Sequence, residues 1–170
     1  MRARWLTVEQ QRAWRAYLLG TTLLTERLDR DLRENHGLSL SEYELLVRLS
    51  ESPDHALRMA ELADSVKNSR SRITHTVQRL QDQGFVVRRS CESDGRGVIA
   101  VLTDDGLAKL ATAAPDHVES VRTALIDGLS PEDVVVLQRV FAGIADRLGN
   151  PQQARCVEGL AGAGTVGGLS

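Results

Sequence analysis

The stretch RMAELADSVKNSRSRITHTVQRLQDQGFVVRRSCESDGRGVIAVLT, residues 58–103, decides the fold. It reads as two short helices followed by a two-stranded hairpin. In the second helix Ile73, Val77 and Leu80 recur at helical spacing and form one apolar stripe. Ser71, Arg72, His75, Gln78 and Arg79 fall on the opposite face or its flanks, so this helix is expected to bury one side and offer hydrogen-bonding groups on the other. Ser69 is a good N-cap just before the periodic run, and Gly84 supplies the left-handed residue that stops a helix. Residues 85–89 and 98–102 then pair as strands across Asp94, Gly95, Arg96 and Gly97, whose glycines permit a tight reversal. The tip of that reversal carries a single arginine.

Working outward, residues 59–66 form the first of the two helices, with Met59, Leu62, Ala63 and Val66 inward and Lys67-Asn68 as the turn. Pro53-Asp54-His55 makes an earlier turn, and Ala56-Leu57-Arg58 is placed to add a short third strand. Before it, Ser39 and Ser41 both offer caps for a helix on which Tyr43, Leu46, Val47 and Ser50 share a face. Thr7-Val8-Glu9-Gln10 is a capping-box pattern opening a long first helix. Its stripe of Trp14, Tyr17, Leu18, Leu24, Leu28 and Leu32 lasts until the stop at His36-Gly37.

Downstream, Thr103 caps a helix with the stripe Leu107, Leu110, Ala111, Ala114, Val118, Val121 and Leu125, which Pro115 is expected to kink and Gly128 to end. Ser130-Pro131 opens a last helix bearing Leu137, Val140, Phe141, Ile144 and Leu148. Three such stripes present more apolar surface than a small central unit can cover. A second copy of the chain is the economical way to bury it, although a core helix of a larger domain is the bland reading of the first one.

The expected architecture is mainly α with a small β-hairpin (α+β). One domain spans residues 1–148, with a helix-turn-helix and hairpin at about 38–103 and dimerisation helices at about 7–36 and 104–148. Residues 149–170 hold six glycines without periodicity and read as a flexible tail.

Net charge is only −2 over 170 residues, which excludes a uniformly basic nucleic-acid binder. Its distribution says more. Residues 67–96 carry seven basic side chains (Lys67, Arg70, Arg72, Arg79, Arg88, Arg89, Arg96) against three acidic ones (Asp82, Glu92, Asp94), a local +4 that leaves −6 for the rest. That asymmetry suits a molecule with one face toward phosphate. Cys91 and Cys156 are too few for a disulfide framework or a metal site, and Cys91 on a strand reads as a small apolar residue. The four histidines show no ligand spacing, and no cofactor is expected. The uncharged run 16–25 is too short to span a bilayer, so the expected location is the cytoplasm.

A helix-turn-helix followed by a basic hairpin is a winged helix, and here the chain resembles the MarR (multiple antibiotic resistance regulator) family. The resemblance rests on Asp94-Gly95-Arg96 followed by a strand ending in Leu102-Thr103. Both lie downstream of Ser69-Arg70-Ser71, Arg79-Leu80 and Gly84 in the family's order. It extends over roughly residues 7–148 and departs from the common pattern at His75 and Gln78. It implies a homodimeric repressor on a palindromic DNA operator, released by a small aromatic or phenolic effector held between dimer helices and winged helix. His36, Tyr43 and Arg48 are candidates for that lining. The residues expected at DNA are Ser69, Arg70, Ser71, Arg72, Thr74, His75, Arg79 and Arg89, with Asp94, Gly95 and Arg96 at the wing tip. Arg70 lies nearer the buried side of its helix, which leaves phosphate contact and packing equally open. Arg96, steered by Asp94, is assigned to the minor groove.

Two rival classes are weighed against this. An enzyme lacks its signs here: there is no nucleophile elbow, phosphate loop or metal pattern. A winged helix used only for protein association is the alternative.

Overall fold

Thr7 closes the capping box that its sequence announces. Its hydroxyl accepts from the Gln10 backbone N–H, while the Gln10 side chain accepts from the Thr7 N–H. From there α1 (Val8–His36) runs to Gly37, whose left-handed backbone (φ 65°) ends it. The computed structural model describes residues 3–65, 70–90 and 97–149. Within these follow α2 (Leu40–Ser50), a 3-10 turn (Pro53–His55), β1 (Ala56–Arg58) and α3 (Met59–Ser65). Next come α4 (Arg70–Asp82), β2 (Val86–Ser90), β3 (Val98–Leu102), α5 (Asp104–Ala124), a second 3-10 turn (Ile126–Gly128) and α6 (Pro131–Leu148). The expected Val66, the turn Lys67-Asn68, the cap Ser69, the hairpin tip Asp94-Gly95-Arg96, Cys91 and the tail beyond Gly149 lie outside the described residues.

The sheet is antiparallel in the order β1-β3-β2, so the short strand before α3 does join the hairpin. Val86 faces Leu102 and Arg88 faces Ala100 on one side of β3, and Leu57 faces the same Ala100 on the other. The strand opens at Val86 rather than at the expected Phe85. The Phe85 N–H donates instead to the carbonyl of Leu80 (2.9 Å), closing α4 behind a left-handed Gly84, and the Phe85 carbonyl accepts from Thr103 (3.1 Å).

One apolar core holds these elements together. Ile73, Val77 and Leu80 are buried as expected, along with Leu62 and Ala63 of α3 and Val86, Ala100 and Leu102 of the sheet. Helix α2 is buried more widely than its expected face. Tyr43, Leu45, Leu46 and Leu49 are all buried, because the helix is packed against α1, α3, α4, α5 and the sheet at once. Of its two possible caps the chain uses Ser39, in a reciprocal box with Glu42.

Helix α5 buries a different side within the chain from the stripe assigned to a second copy, most of which stays open or half-buried. The residues buried within the chain are Gly106, Leu110 and Ala113, and of the expected stripe only Leu110 is among them. Thr103 caps the helix as expected, through the N–H of Gly106 (3.0 Å), and the helix continues through Pro115. Helix α6 opens with Ser130 and Asp133 in a capping box and Pro131 in the first turn, and none of its residues is buried. The outer two thirds of α1 are also open: Trp14, Tyr17, Leu18, Leu19 and Leu23 are exposed. Trp14 and Tyr17 stack at 5.6 Å, and Tyr17 meets Phe141 of α6 at 5.8 Å. No described helix is long and apolar enough to cross a membrane.

Candidate nucleic-acid interface

Because Ile73, Thr76, Val77 and Leu80 turn inward, helical geometry turns Ser71, Arg72, Thr74, His75, Gln78 and Arg79 outward, and all six are exposed. The structure therefore brings together on one helix five of the expected site residues: Ser71, Arg72, Thr74, His75 and Arg79. Arg89 is exposed on β2, on the opposite side of the strand from Arg88. Ser69, Asp94, Gly95, Arg96 and the side chain of Arg70 lie outside the described residues.

Two guanidinium groups fix how α4 sits. Arg88, on the same side of β2 as the buried Val86, reaches back over the helix. Its Nη2 donates to the Thr74 carbonyl (2.9 Å) and its Nη1 to Oε1 of Gln78 (3.1 Å). Gln78 in turn donates to Asp82 (2.8 Å), so its amide is committed to holding the strand against the helix. At the last turn of α4, Nε of Arg79 donates to Oε1 of Glu42 at 2.8 Å. Burial pushes the Glu42 carboxyl up, but bonds from Ser39 and Arg79 outweigh this and hold it below the ordinary carboxylate range. Arg79 is thus bound to the body of the protein through one nitrogen, with half its side chain still open to solvent.

Neither Arg88 nor Glu42 was singled out by the sequence reading. Signals for both existed. The alternation of a strand puts Arg88 on the side of Val86, and Glu42 is the third residue of a capping box; neither signal tells which distant group the side chain meets. Arg58, Met59, Ala60, Thr74, Arg88, Gly97 and Val98 line an open groove of about 430 Å³ beside this face, with two arginines on its walls.

Of the residues expected to line an effector crevice, His36 and Tyr43 meet at one junction of α1, α2 and α5. Nε2 of His36 is 2.9 Å from Oδ2 of Asp116, and the ring of Tyr43 lies 4.4 Å from that of His117. Arg48 does not join them in the contacts it makes; its Nη1 pairs with Glu51 at 3.2 Å. Burial pushes the Tyr43 phenol up and the His117 imidazole down.

Residues 36–97, which carry this exposed polar helix and the basic strand tied to it, match the MarR family model. The chain also matches the crystal structure of Sco3205, a MarR family transcriptional regulator from Streptomyces coelicolor, solved in complex with DNA. That likeness has a TM-score of 0.85 and 44% identity, covering 89% of this chain and 94% of that one. The chain belongs to the MarR family. A second MarR regulator of S. coelicolor, AbsC, matches with a TM-score of 0.81 and 44% identity over 86% of this chain and 98% of its own. The HTH-type transcriptional repressor Rv2887 of Mycobacterium tuberculosis is 32% identical over 67% of this MarR chain and 77% of its own length. The repressor YetL of Bacillus subtilis is 30% identical over 66% of each. These relatives are transcriptional regulators rather than enzymes, and the enzyme reading falls with them.

Proposed function

We propose that this chain is a sequence-specific DNA-binding transcriptional regulator, a repressor that binds a palindromic operator as a homodimer. The observation that carries the reading is the outward face of α4, with Arg72, His75 and Arg79 at successive turns beside a strand that Arg88 holds in place. A helix of this width enters the major groove, where Ser71, Arg72, Thr74 and His75 meet base edges. Arg89 and Arg70 belong at phosphates, and Arg96, flanked by Gly95 and Gly97 and steered by Asp94, at the adjacent minor groove. The domain divides accordingly into a reading unit at about 38–103 and dimerisation helices at about 7–36 and 104–148. The open apolar sides of α1 and α6 favour a second copy of the chain, and two-fold symmetry then gives two half-sites.

A small aromatic or phenolic effector acts at the junction of His36 and Tyr43. The space beside His36 between α1 and α5, lined by Asp31, Leu32, Asn35, Asp116, His117 and Ser120, has no room for a water molecule. The effector therefore has to part α1 from α5, and in doing so it shifts α2 beneath the reading helix.

Selection of bound sequences from a random DNA pool tests the reading. A palindromic consensus is expected, and failure to enrich any sequence would overturn it in favour of a protein-association module. With the operator in hand, His75→Ala should flatten preference at one or two positions per half-site, since a good base contact is worth about 1–3 kcal/mol. Arg96→Ala should weaken operator binding and lower the slope of log affinity against log salt by about one to two in a dimer.

A further inference from the structure

We propose that Glu42 is a positioning residue for DNA reading: its buried carboxylate carries the placement of the first turn of α2, itself bonded to Asp29 of α1, onto Arg79 and the last turn of α4. The proposal rests on the DNA-reading function of α4.

Glu42 does more than cap a helix. A capping glutamate needs one oxygen on the N-cap N–H and works well in solvent. Here Oε2 accepts from both the N–H and the hydroxyl of Ser39, each at 2.7 Å, while Oε1 accepts from Nε of Arg79, 37 residues away in sequence. The side chain is 5% exposed, against 54% for Arg79. A buried carboxylate is costly unless every partner stays in place, so Glu42 holds Arg79 to one position and not the reverse.

The other end of the chain of bonds is on α1. Oδ1 of Asp29 accepts from the backbone N–H of Leu40 at 2.8 Å, and its Oδ2 accepts from Arg33. Leu38, between the two helices, is fully buried and donates its N–H to Leu32 of α1. Displacement of the C-terminal end of α1 therefore moves Ser39 and Leu40, with them Glu42, and through Glu42 the end of the reading helix.

The direction of the effect separates positioning from charge. Glu42→Gln keeps an amide oxygen for Ser39 but turns an NH2 group, which cannot accept, toward Arg79. It also removes the negative charge paired with Arg79 of the reading helix. By electrostatics alone it would strengthen binding to all DNA. Positioning requires the opposite on the operator. Operator affinity should fall by about ten-fold, the size of a mis-seated base contact, while random-DNA affinity and the salt slope hold or rise slightly. Asp29→Ala, which touches neither Glu42 nor DNA, should lower the operator-to-random ratio in the same direction. The double variant should lose less than the two single losses combined, because both cut one chain of contacts.

The experiment measures operator and random-DNA affinity at several salt concentrations for the full-length wild type and the three variants. A wild-type or higher operator-to-random ratio in Glu42→Gln overturns the proposal. Should that variant fail to fold, Asp29→Ala decides alone, and an unchanged ratio there overturns it too. A wild type that prefers no sequence would instead remove the DNA-reading function itself.

Discussion

The guanidinium of Arg88 grips the backbone carbonyl of Thr74 at 2.9 Å, so the strand of the wing and the middle of the reading helix are joined by one side chain. A second nitrogen of the same group reaches Gln78 at 3.1 Å, four residues and one turn further along α4. The angle between helix and hairpin is therefore set by a fork whose two prongs have a fixed spacing.

Removing the fork should be felt in stability before it is felt at DNA. Charge-assisted bonds to such acceptors are worth about 1.5–3 kcal/mol, so Arg88→Ala should lower the unfolding free energy measured in urea by an amount in the lower part of that range. Arg88→Lys should recover only part of it, because one ammonium cannot span both acceptors. An Arg88→Ala variant as stable as wild type would show that hairpin and helix are held by the apolar core alone.

Gly106 sits where the first turn of α5 presses on the start of β2. A Cβ there would overlap the carbonyl oxygen of Phe85 and crowd the side chain of Leu102. Alanine ordinarily favours a helix over glycine by about 0.5–1 kcal/mol. Here the backbone carbonyl cannot move aside without breaking its bond from Thr103, so Gly106→Ala should destabilise by about 1–3 kcal/mol. Thermal unfolding decides the sign, and a higher Tm would sink the argument.

His117 makes stability depend on pH. Burial lowers its folded pKa below the ordinary value near 6.5, and its Nδ1 is buried with no hydrogen-bond partner among the described residues. The unfolded chain then binds a proton more readily than the folded one. This contribution is whole above about pH 6.5 and is lost as pH falls from there toward the folded pKa, by no more than about 1.4 kcal/mol per pH unit for one proton. Denaturant midpoints between pH 7.5 and 5.5 should fall in the wild type and fall less in His117→Gln. Equal slopes in the two proteins would assign the dependence to other groups.

Assembly is the prediction with the largest surface behind it. Helix α6 buries none of its residues within one chain, while Val135 and Leu148 are 62% and 76% exposed. Sedimentation at micromolar concentration should give a dimer, and the truncation 38–103 a poorly stable monomer. A full-length chain that sediments as a stable monomer would leave these faces unexplained.

Local pattern was enough for much of this. The helical spacing of Ile73, Val77 and Leu80, the left-handed Gly84, the capping box at Thr7, the Ser130 cap with its first-turn proline and the antiparallel pairing of β2 with β3 all depend on residues a few positions apart, or on a tight turn. So does the outward direction of Arg72 and His75, which follows once the inward stripe is known. The reading face was legible because a helix has only two sides to assign.

What periodicity could not reach is any choice made by a distant partner. Two serines offered caps for α2, and the packing of Leu38 and Leu45 decided for Ser39. The side of α5 that is buried within the chain gives little periodic signal, because it is built partly on Gly106 and Ala113, small residues that allow close approach but carry almost no hydropathy, while Leu107 and Val118 of the stripe assigned to a second copy stay exposed within the chain. Arg79 and Arg88 looked alike as basic residues in a basic stretch. Only the tertiary structure ties Arg79 to Glu42 and Arg88 to Thr74, because a guanidinium's role is set by which acceptor lies within about 3 Å of it, and folding alone brings residues 37 apart in sequence to that distance.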